Sequence, residues 1–120
     1  MMQGQVRAGL PRVTLDLPGE AGPFSREFIL DTGFEGELAL PASDANQLVR
    51  SPAFAQRVRL ADGSEREQAV YLVTVDWNDE PRLTEVLVLE GSPLLGSGLL
   101  REQFVQLEMT DSGAVSIEPL

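Results

Sequence analysis

The chain contains no cysteine, no histidine and no lysine, and all nine of its basic residues are arginine. Without histidine or cysteine it cannot form a Ser-His or Cys-His nucleophile, a thiolate site or an imidazole-bound zinc site. Without lysine it cannot form a Schiff base with a carbonyl substrate. Carboxylates, hydroxyls, one tyrosine and the arginines remain, so an enzyme built from this chain would have to use carboxylate chemistry.

Positive charge is also scarce, because 19 acidic residues outnumber the nine arginines and give a formal net charge of −10. Such a surface repels phosphate backbones and anionic lipid, so we expect neither nucleic acid nor a membrane as a partner. No stretch approaches the roughly 20 apolar residues of a membrane span, and the first ten residues lack the apolar core of a signal peptide. We therefore expect a cytoplasmic protein whose partner is basic or neutral.

The length of 120 residues predicts one domain over residues 1–120. Short strand-like runs separated by turn residues indicate an all-β barrel or sandwich. These runs cover residues 6–10, 12–17, 25–30, 37–40, 56–60, 68–75, 83–89, 105–109 and 114–117. Two short helices are predicted, one over 44–49 with Ser43 as its cap and an end before Pro52, the other within 94–104.

Three turns between these runs are expected to close hairpins. Asp62-Gly63 lies between two strand-like runs, which is a strong hairpin signal, so a long two-stranded arm is predicted there. Residues 78–81 and 110–113 carry similar turn residues. The acidic segment 76–81 begins like a calcium loop, but Glu80 and Pro81 replace the required side chains, so a solvated turn is the better interpretation.

The strongest candidate for chemistry is Asp31. It follows the apolar run Phe28-Ile29-Leu30 and precedes Thr32 and Gly33, and the glycine permits a sharp turn. A carboxylate on such a loop is rigidly held and can be partly desolvated. The alternative is a strand-ending turn in a binding protein.

Three segments, in this order, resemble the retropepsin-like aspartic proteases, in particular small bacterial single-lobe members with an Asp-Thr-Gly-Phe motif. They are the apolar strand with Asp31-Thr32-Gly33-Phe34, the segment Leu60-Ala61-Asp62-Gly63-Ser64 at the family's flap, and Leu94-Leu95-Gly96. The resemblance spans roughly residues 6–118. It implies an all-β, single-lobe acid-protease barrel, closed and carrying one or two short helices.

The same resemblance implies an endopeptidase that binds a peptide or protein substrate and needs no metal and no cofactor. Two aspartates held about 3 Å apart share one proton, so that one activates water while the other protonates the scissile carbonyl. Residues 60–64 would form a flap over the substrate, and Leu94-Leu95-Gly96 would lie across from the catalytic loop. Thr32 would hold two such loops together. For residues 60–64 the alternative is an ordinary hairpin, and for Leu94-Leu95-Gly96 it is packing in the core. For Thr32 it is a hydrogen bond within its own turn.

The chain offers only one such loop. Asp111-Ser112-Gly113 follows a polar segment and leaves only seven residues after it, so a hairpin turn is the better interpretation. The second aspartate should therefore be Asp31 of another copy in a homodimer. The rival hypothesis is an inactive peptide-binding or dimerisation module with the same fold.

Three further features of the sequence bear on function. Gly96-Ser97-Gly98 lacks the third glycine of a dinucleotide loop and has no βαβ context. Glu35 and Glu37 are spaced like a glycosidase pair on a strand, although a solvated rim is the better interpretation. The family often has Asp or Asn in the segment after the apolar-apolar-Gly motif, where this chain has Ser97-Gly98.

Overall fold

The computed structural model describes residues 1–49 and 54–120, which form ten strands and two short helices. The strands are β1 (Met2–Arg7), β2 (Leu10–Leu17), β3 (Phe24–Asp31), β4 (Leu38–Leu40), β5 (Phe54–Arg59), β6 (Glu65–Trp77), β7 (Glu80–Val88), β8 (Leu94–Gly96), β9 (Gln103–Leu107) and β10 (Ala114–Pro119). The helices are α1 (Ala42–Ala45) and α2 (Ser97–Leu100). The predicted all-β class is confirmed.

All ten strands belong to one sheet, in the order β5-β6-β7-β4-β8-β3-β2-β1-β10-β9. Neighbouring strands are antiparallel except for β3 with β8 and β4 with β7. The sheet folds over itself so that β2 contacts β6. Among residues 1–49 and 54–120 no ladder joins β5 to β9, so the barrel-like sheet keeps these two edge strands.

The core lies between the folded halves of the sheet and follows from alternation along the strands. In β2, Val13 and Leu15 are buried whereas Thr14 and Asp16 are exposed. Successive side chains of a strand point to opposite faces, so this pattern places one face of β2 against the core. Each fully buried aliphatic side chain contributes about 1.5–3 kcal/mol relative to an exposed one.

The first hairpin turns earlier than the sequence suggested. Ala8 and Gly9 have φ values of 52° and 75°, as the favoured two-residue hairpin turn requires. Pro11, expected to separate two strands, instead lies within β2 and pairs with Val6. In an antiparallel ladder, residue pairs that exchange backbone hydrogen bonds alternate with pairs that do not. Arg7 and Leu10 close the turn as a hydrogen-bonded pair, so the next pair, Val6 with Pro11, exchanges no hydrogen bonds. The missing N–H of proline therefore costs no ladder bond to β1.

The first predicted helix is shorter than expected, whereas the second is confirmed within its predicted segment. Helix α1 begins after Pro41, which has extended backbone angles, so Ser43 lies inside the helix and is not its cap. The predicted stop at Pro52 lies outside the described residues. The segment 94–104 divides into β8, α2 and the start of β9, because its first three residues pair with β3 and β4.

The predicted turn at residues 110–113 is confirmed. The amide of Gly113 donates to the carbonyl of Thr110 at 2.8 Å, and Ser112 has a positive φ of 62°. This turn is bonded to the main chain of Val6 at the end of β1. Asp111 is thus an exposed turn residue. No helix within residues 1–49 and 54–120 is long and apolar enough to cross a membrane.

Candidate active site

Asp31 is the last residue of β3, and the structure places it beside the second sequence motif. Strand β3 pairs in parallel with β8, with Leu30 opposite Leu95 and Asp31 opposite Gly96. Leu95 and Gly96 are buried, whereas Asp31 is half-buried. The two motifs are therefore adjacent in the sheet, and the carboxylate emerges where the buried part of β3 ends.

The carboxylate is held by its own loop. One oxygen of Asp31, Oδ1, accepts the backbone N–H of Gly33 at 2.9 Å, and the Asp31 carbonyl accepts the N–H of Phe34 at 3.1 Å. Thr32 and Gly33 are exposed. The bond from Gly33 orients the carboxylate, and the bond from Phe34 closes the backbone turn beneath it. The loop presents its outer face to solvent.

The chain after this loop is bound to the start of α2. The carbonyl of Phe34 accepts hydrogen bonds from the backbone N–H of Ser97 at 2.8 Å and from its Oγ at 3.2 Å. The amide of Gly96 donates to Glu37 at 2.9 Å, and that of Gly98 donates to Gly36 at 3.1 Å. Ser97 thus ties α2 to the Asp31 loop, at the segment where the family resemblance suggests Asp or Asn.

Gly96 sits where no side chain fits. A β-carbon built on Gly96 would lie 2.5 Å from the carbonyl oxygen of Phe34 and closer still to that of Gly36. Real β-carbons do not approach backbone oxygens this closely, because atoms in protein interiors are already in van der Waals contact. The absence of a side chain at this position allows the loop after Asp31 to lie directly against β8.

Strands β5 and β6 form the predicted long hairpin. At its tip, the amide of Leu60 donates to Ser64 at 2.8 Å and that of Gly63 donates to Leu60 at 2.9 Å. Gly63 has a φ of 86°, a conformation that glycine adopts without strain. Residues 61–64 are exposed, as a flap over a substrate would require.

The tip of this hairpin carries a carboxyl group whose pKa is lowered. Asp62 accepts hydrogen bonds from Ser64 Oγ at 2.5 Å and from the Ser64 N–H at 2.8 Å, and both favour the ionised form. A carboxyl whose pKa falls on folding stabilises the structure above its unfolded pKa. That contribution disappears as the pH drops through the lowered value. The turn should therefore loosen in acid.

Replacing Ser64 with alanine should raise the pKa of Asp62 part of the way toward the ordinary value of an aspartate. The hydrogen bond from Ser64 Oγ is lost, whereas the one from the backbone N–H remains. An NMR titration of the Asp62 carboxyl carbon in both proteins measures this change. Ser43→Ala, in α1, is the matched control and should leave the titration unchanged. An equal pKa in Ser64→Ala and the parent protein would contradict this account of the turn.

A cleft of about 620 Å³ lies between the loop after Asp31, the β5–β6 hairpin and β7. The described residues that line it are Gly33, Phe34, Glu35, Gly36, Glu37, Leu38, Arg57, Val58, Arg59, Val70, Glu85 and Leu87. The cleft therefore begins two residues beyond Asp31. Residues 60–64 at the hairpin tip are not among its lining, whereas residues 57–59 of β5 are.

The prediction that Glu37 belongs to a solvated rim is wrong. Its carboxylate accepts the guanidinium of Arg82 at 3.0 Å and the backbone N–H of Glu85 at 2.8 Å, and its side chain is 22% exposed. Because both oxygens are engaged, Glu37 joins the site loop to β7. Glu35 is exposed and lies on the rim of the cleft, as predicted.

The sequence interpretation missed the charged residues that other strands bring to this cleft. Arg57 and Arg59 come from β5, and Glu85 comes from β7. Alternation could have placed the two arginines on one face of β5. Nothing local in the sequence indicated that β7 would lie beside β4, because that parallel pairing joins segments far apart in the chain.

Neither a protein-family model nor a curated protein sequence matches this chain. Among solved structures, the crystal structure of a retropepsin-like aspartic protease from Rickettsia conorii is similar, with a TM-score of 0.60 and 21% sequence identity. The match covers 98% of this chain and 95% of that one. The chain thus has the fold of a retropepsin-like aspartic protease, which confirms the predicted fold class. The predicted closure of the barrel is not confirmed, because no ladder joins β5 to β9 in the described residues.

Proposed function

We propose that the chain is one half of a homodimeric aspartic endopeptidase, with Asp31 of each copy forming a catalytic dyad. The observation that carries this proposal is the position of Asp31. It lies at the end of a buried strand, is oriented by the N–H of Gly33, and is packed beside a glycine that admits no side chain. The fold, shared with a retropepsin-like protease, supports it.

The dyad would work by sharing one proton between two carboxylates. The ionised carboxylate takes a proton from water as the water oxygen bonds to the carbonyl carbon, and the protonated carboxyl gives its proton to the carbonyl oxygen. In the second step a hydroxyl of the tetrahedral intermediate returns a proton to the dyad. The C–N bond then breaks as the leaving nitrogen takes the other proton, so the dyad again holds one.

The exposure of the loop supports the requirement for a second copy. Thr32 and Gly33 face solvent in the single chain, so another copy of the same loop can approach Asp31 along a two-fold axis. The segment Asp111-Ser112-Gly113 lies in an exposed turn bonded to β1, whereas the Asp31 loop is bonded to α2. A peptide substrate would then lie between the paired loops and the β5–β6 hairpins.

A library of unstructured peptides tests this function directly. We expect internal peptide bonds to be cleaved, with a rate per chain that rises with protein concentration until the dimer is saturated. Mass spectrometry identifies the cut bonds, and analytical ultracentrifugation gives the oligomeric state at the same concentrations. A protein that binds peptides but cleaves none, as a stable dimer, would favour the inactive peptide-binding module. A strict monomer with added peptide would exclude a shared dyad.

A further inference from the structure

The cleft beside the Asp31 loop combines an apolar floor with a charged rim. Leu38, Val70 and Leu87 are buried residues that line it, with exposures of 0%, 1% and 8%. Charged residues from the site loop, β5 and β7 line it as well. A side chain that binds here must therefore satisfy both an apolar and a charged surface.

Most of the charges on this rim already have partners. Arg57 and Arg59 contact the carboxylate of Glu65 at 3.1 and 3.5 Å. Glu37 is bound by the guanidinium of Arg82 and by a backbone N–H. The Glu37–Arg82 pair carries no net charge, whereas the two arginines share one carboxylate and keep one net positive charge. This single charge is smaller than the two negative charges that the remaining carboxylates of the rim, Glu35 and Glu85, bring to the cleft.

Glu35 and Glu85 differ from these groups. Both are exposed and line the cleft, and within residues 1–49 and 54–120 neither carboxylate has a hydrogen-bonding or ion-pairing side chain. Glu85 contributes only its backbone N–H to a hydrogen bond, which Glu37 accepts. Glu35 belongs to the same loop as Asp31. Two uncompensated carboxylates thus come from the site loop and from β7.

A long basic side chain matches this combination. Lysine and arginine lay their methylene stems along apolar surface while the charged head stays at its edge. The stem would pack on the floor, and the ammonium or guanidinium would reach the two carboxylates. A neutral side chain would cover those carboxylates without pairing them, which is unfavourable, and an acidic one would be repelled.

We propose that Glu35 and Glu85 make this enzyme selective for substrates with arginine or lysine at a residue flanking the scissile bond. This inference rests on the proposed peptidase function, because it makes the 620 Å³ cleft a substrate subsite of the Asp31 centre. It assigns to the two glutamates a role in substrate selection and none in bond cleavage.

Matched peptides test the selectivity. Starting from one cleaved sequence, the residue that enters the cleft is set in turn to arginine, lysine, methionine, glutamine or glutamate. We expect kcat/KM for arginine and lysine to exceed that for glutamine by about tenfold, as a single charge-assisted bond provides, with methionine between them. Glu35→Gln and Glu85→Gln should each reduce the preference several-fold through KM, and the double variant should abolish it.

Glu108→Gln is the control, because Glu108 is an exposed carboxylate outside the cleft and its loss changes the net charge equally. It should retain the full preference. An undiminished preference in the double variant, or equal rates for arginine and glutamine peptides in the parent enzyme, would overturn the proposal.

Binding separates this inference from the proposed function. Fluorescence anisotropy of the same peptides is measured with Asp31→Asn, which cannot hydrolyse them if the function is right. Tighter binding of the arginine peptide than of the glutamine peptide, lost on adding Glu35→Gln and Glu85→Gln, supports the selectivity even if the parent protein cleaves nothing. Equal binding of both peptides overturns the selectivity even if the parent protein cleaves them.

Discussion

Replacing Asp31 with asparagine is expected to lower kcat for peptide hydrolysis by about 10³-fold or more, with little change in stability. A general acid or base contributes 10²–10⁴-fold to a rate, and this substitution affects both roles in a symmetric dyad. Asparagine has the same shape and retains an oxygen that can accept the N–H of Gly33. The loop should therefore keep its conformation while it loses the group that accepts a proton from water.

Mixing the two proteins tests whether the site is shared. If each active site needs Asp31 from both copies, a ninefold excess of Asp31→Asn should reduce the activity of each parent chain by about tenfold, because most parent chains then pair with a variant. Glu108→Gln in the same excess should not inhibit. Hydrolysis is followed with a fluorogenic peptide after equilibration of the subunits, and thermal unfolding of each protein confirms that both are folded.

Two results would contradict this prediction. Undiminished hydrolysis by Asp31→Asn would remove Asp31 from the chemistry altogether. Loss of activity in Asp31→Asn without inhibition in the mixture, under conditions where mass spectrometry detects mixed dimers, would show that one Asp31 is sufficient for each site.

Replacing Gly96 with alanine is expected to destabilise the fold by about 3 kcal/mol, at the upper end of the range for overpacking. The added β-carbon would lie 2.5 Å from the carbonyl oxygen of Phe34. This oxygen belongs to the backbone and already accepts two bonds from Ser97, so it cannot move aside without breaking them. Because Asp31 pairs with Gly96, the displaced strand would also move the carboxylate.

Urea unfolding measures this loss, with Gly33→Ala as the matched control. Among the residues that the structure describes, a β-carbon at Gly33 would meet only one atom within 4 Å, Asp31 Oδ1, at 3.3 Å. We expect this control to lose less than about 1 kcal/mol, since a small side-chain adjustment relieves the contact. Equal stability of Gly96→Ala and the parent protein would show that β8 and the loop can separate without cost.

Local signals in the sequence were sufficient for some elements and misleading for others. Asp-Gly between two apolar runs identified the β5–β6 hairpin, because the turn depends only on the residues within it. Pro11 was misleading because its effect depends on which edge of β2 its nitrogen faces, and that is decided by pairing with β1. The segment 94–104 was expected to hold a short helix, but strand β8 at its start was not predicted, because two distant strands, β3 and β4, determine its conformation.

The residues of the candidate site also fall into those that local sequence signals identified and those that depend on distant pairing. Asp31 and its turn were found from an apolar run followed by Thr32 and Gly33, and the resemblance supplied the segment that lies beside them. The contributions of Glu37, Arg82 and Glu85 were not found. Their roles arise from hydrogen bonds across the parallel pairing of β4 with β7, which no local pattern encodes.

The parallel pairing of β3 with β8 also has a consequence during synthesis of the chain. Asp31 leaves the ribosome well before Gly96, and its loop has no docking partner until β8 and the start of α2 have been made. Contacts between distant segments form late in folding because the intervening chain must first be closed into a loop. The nascent chain therefore carries Asp31 for most of its translation without the strand and the helix start against which its loop is held in the folded protein.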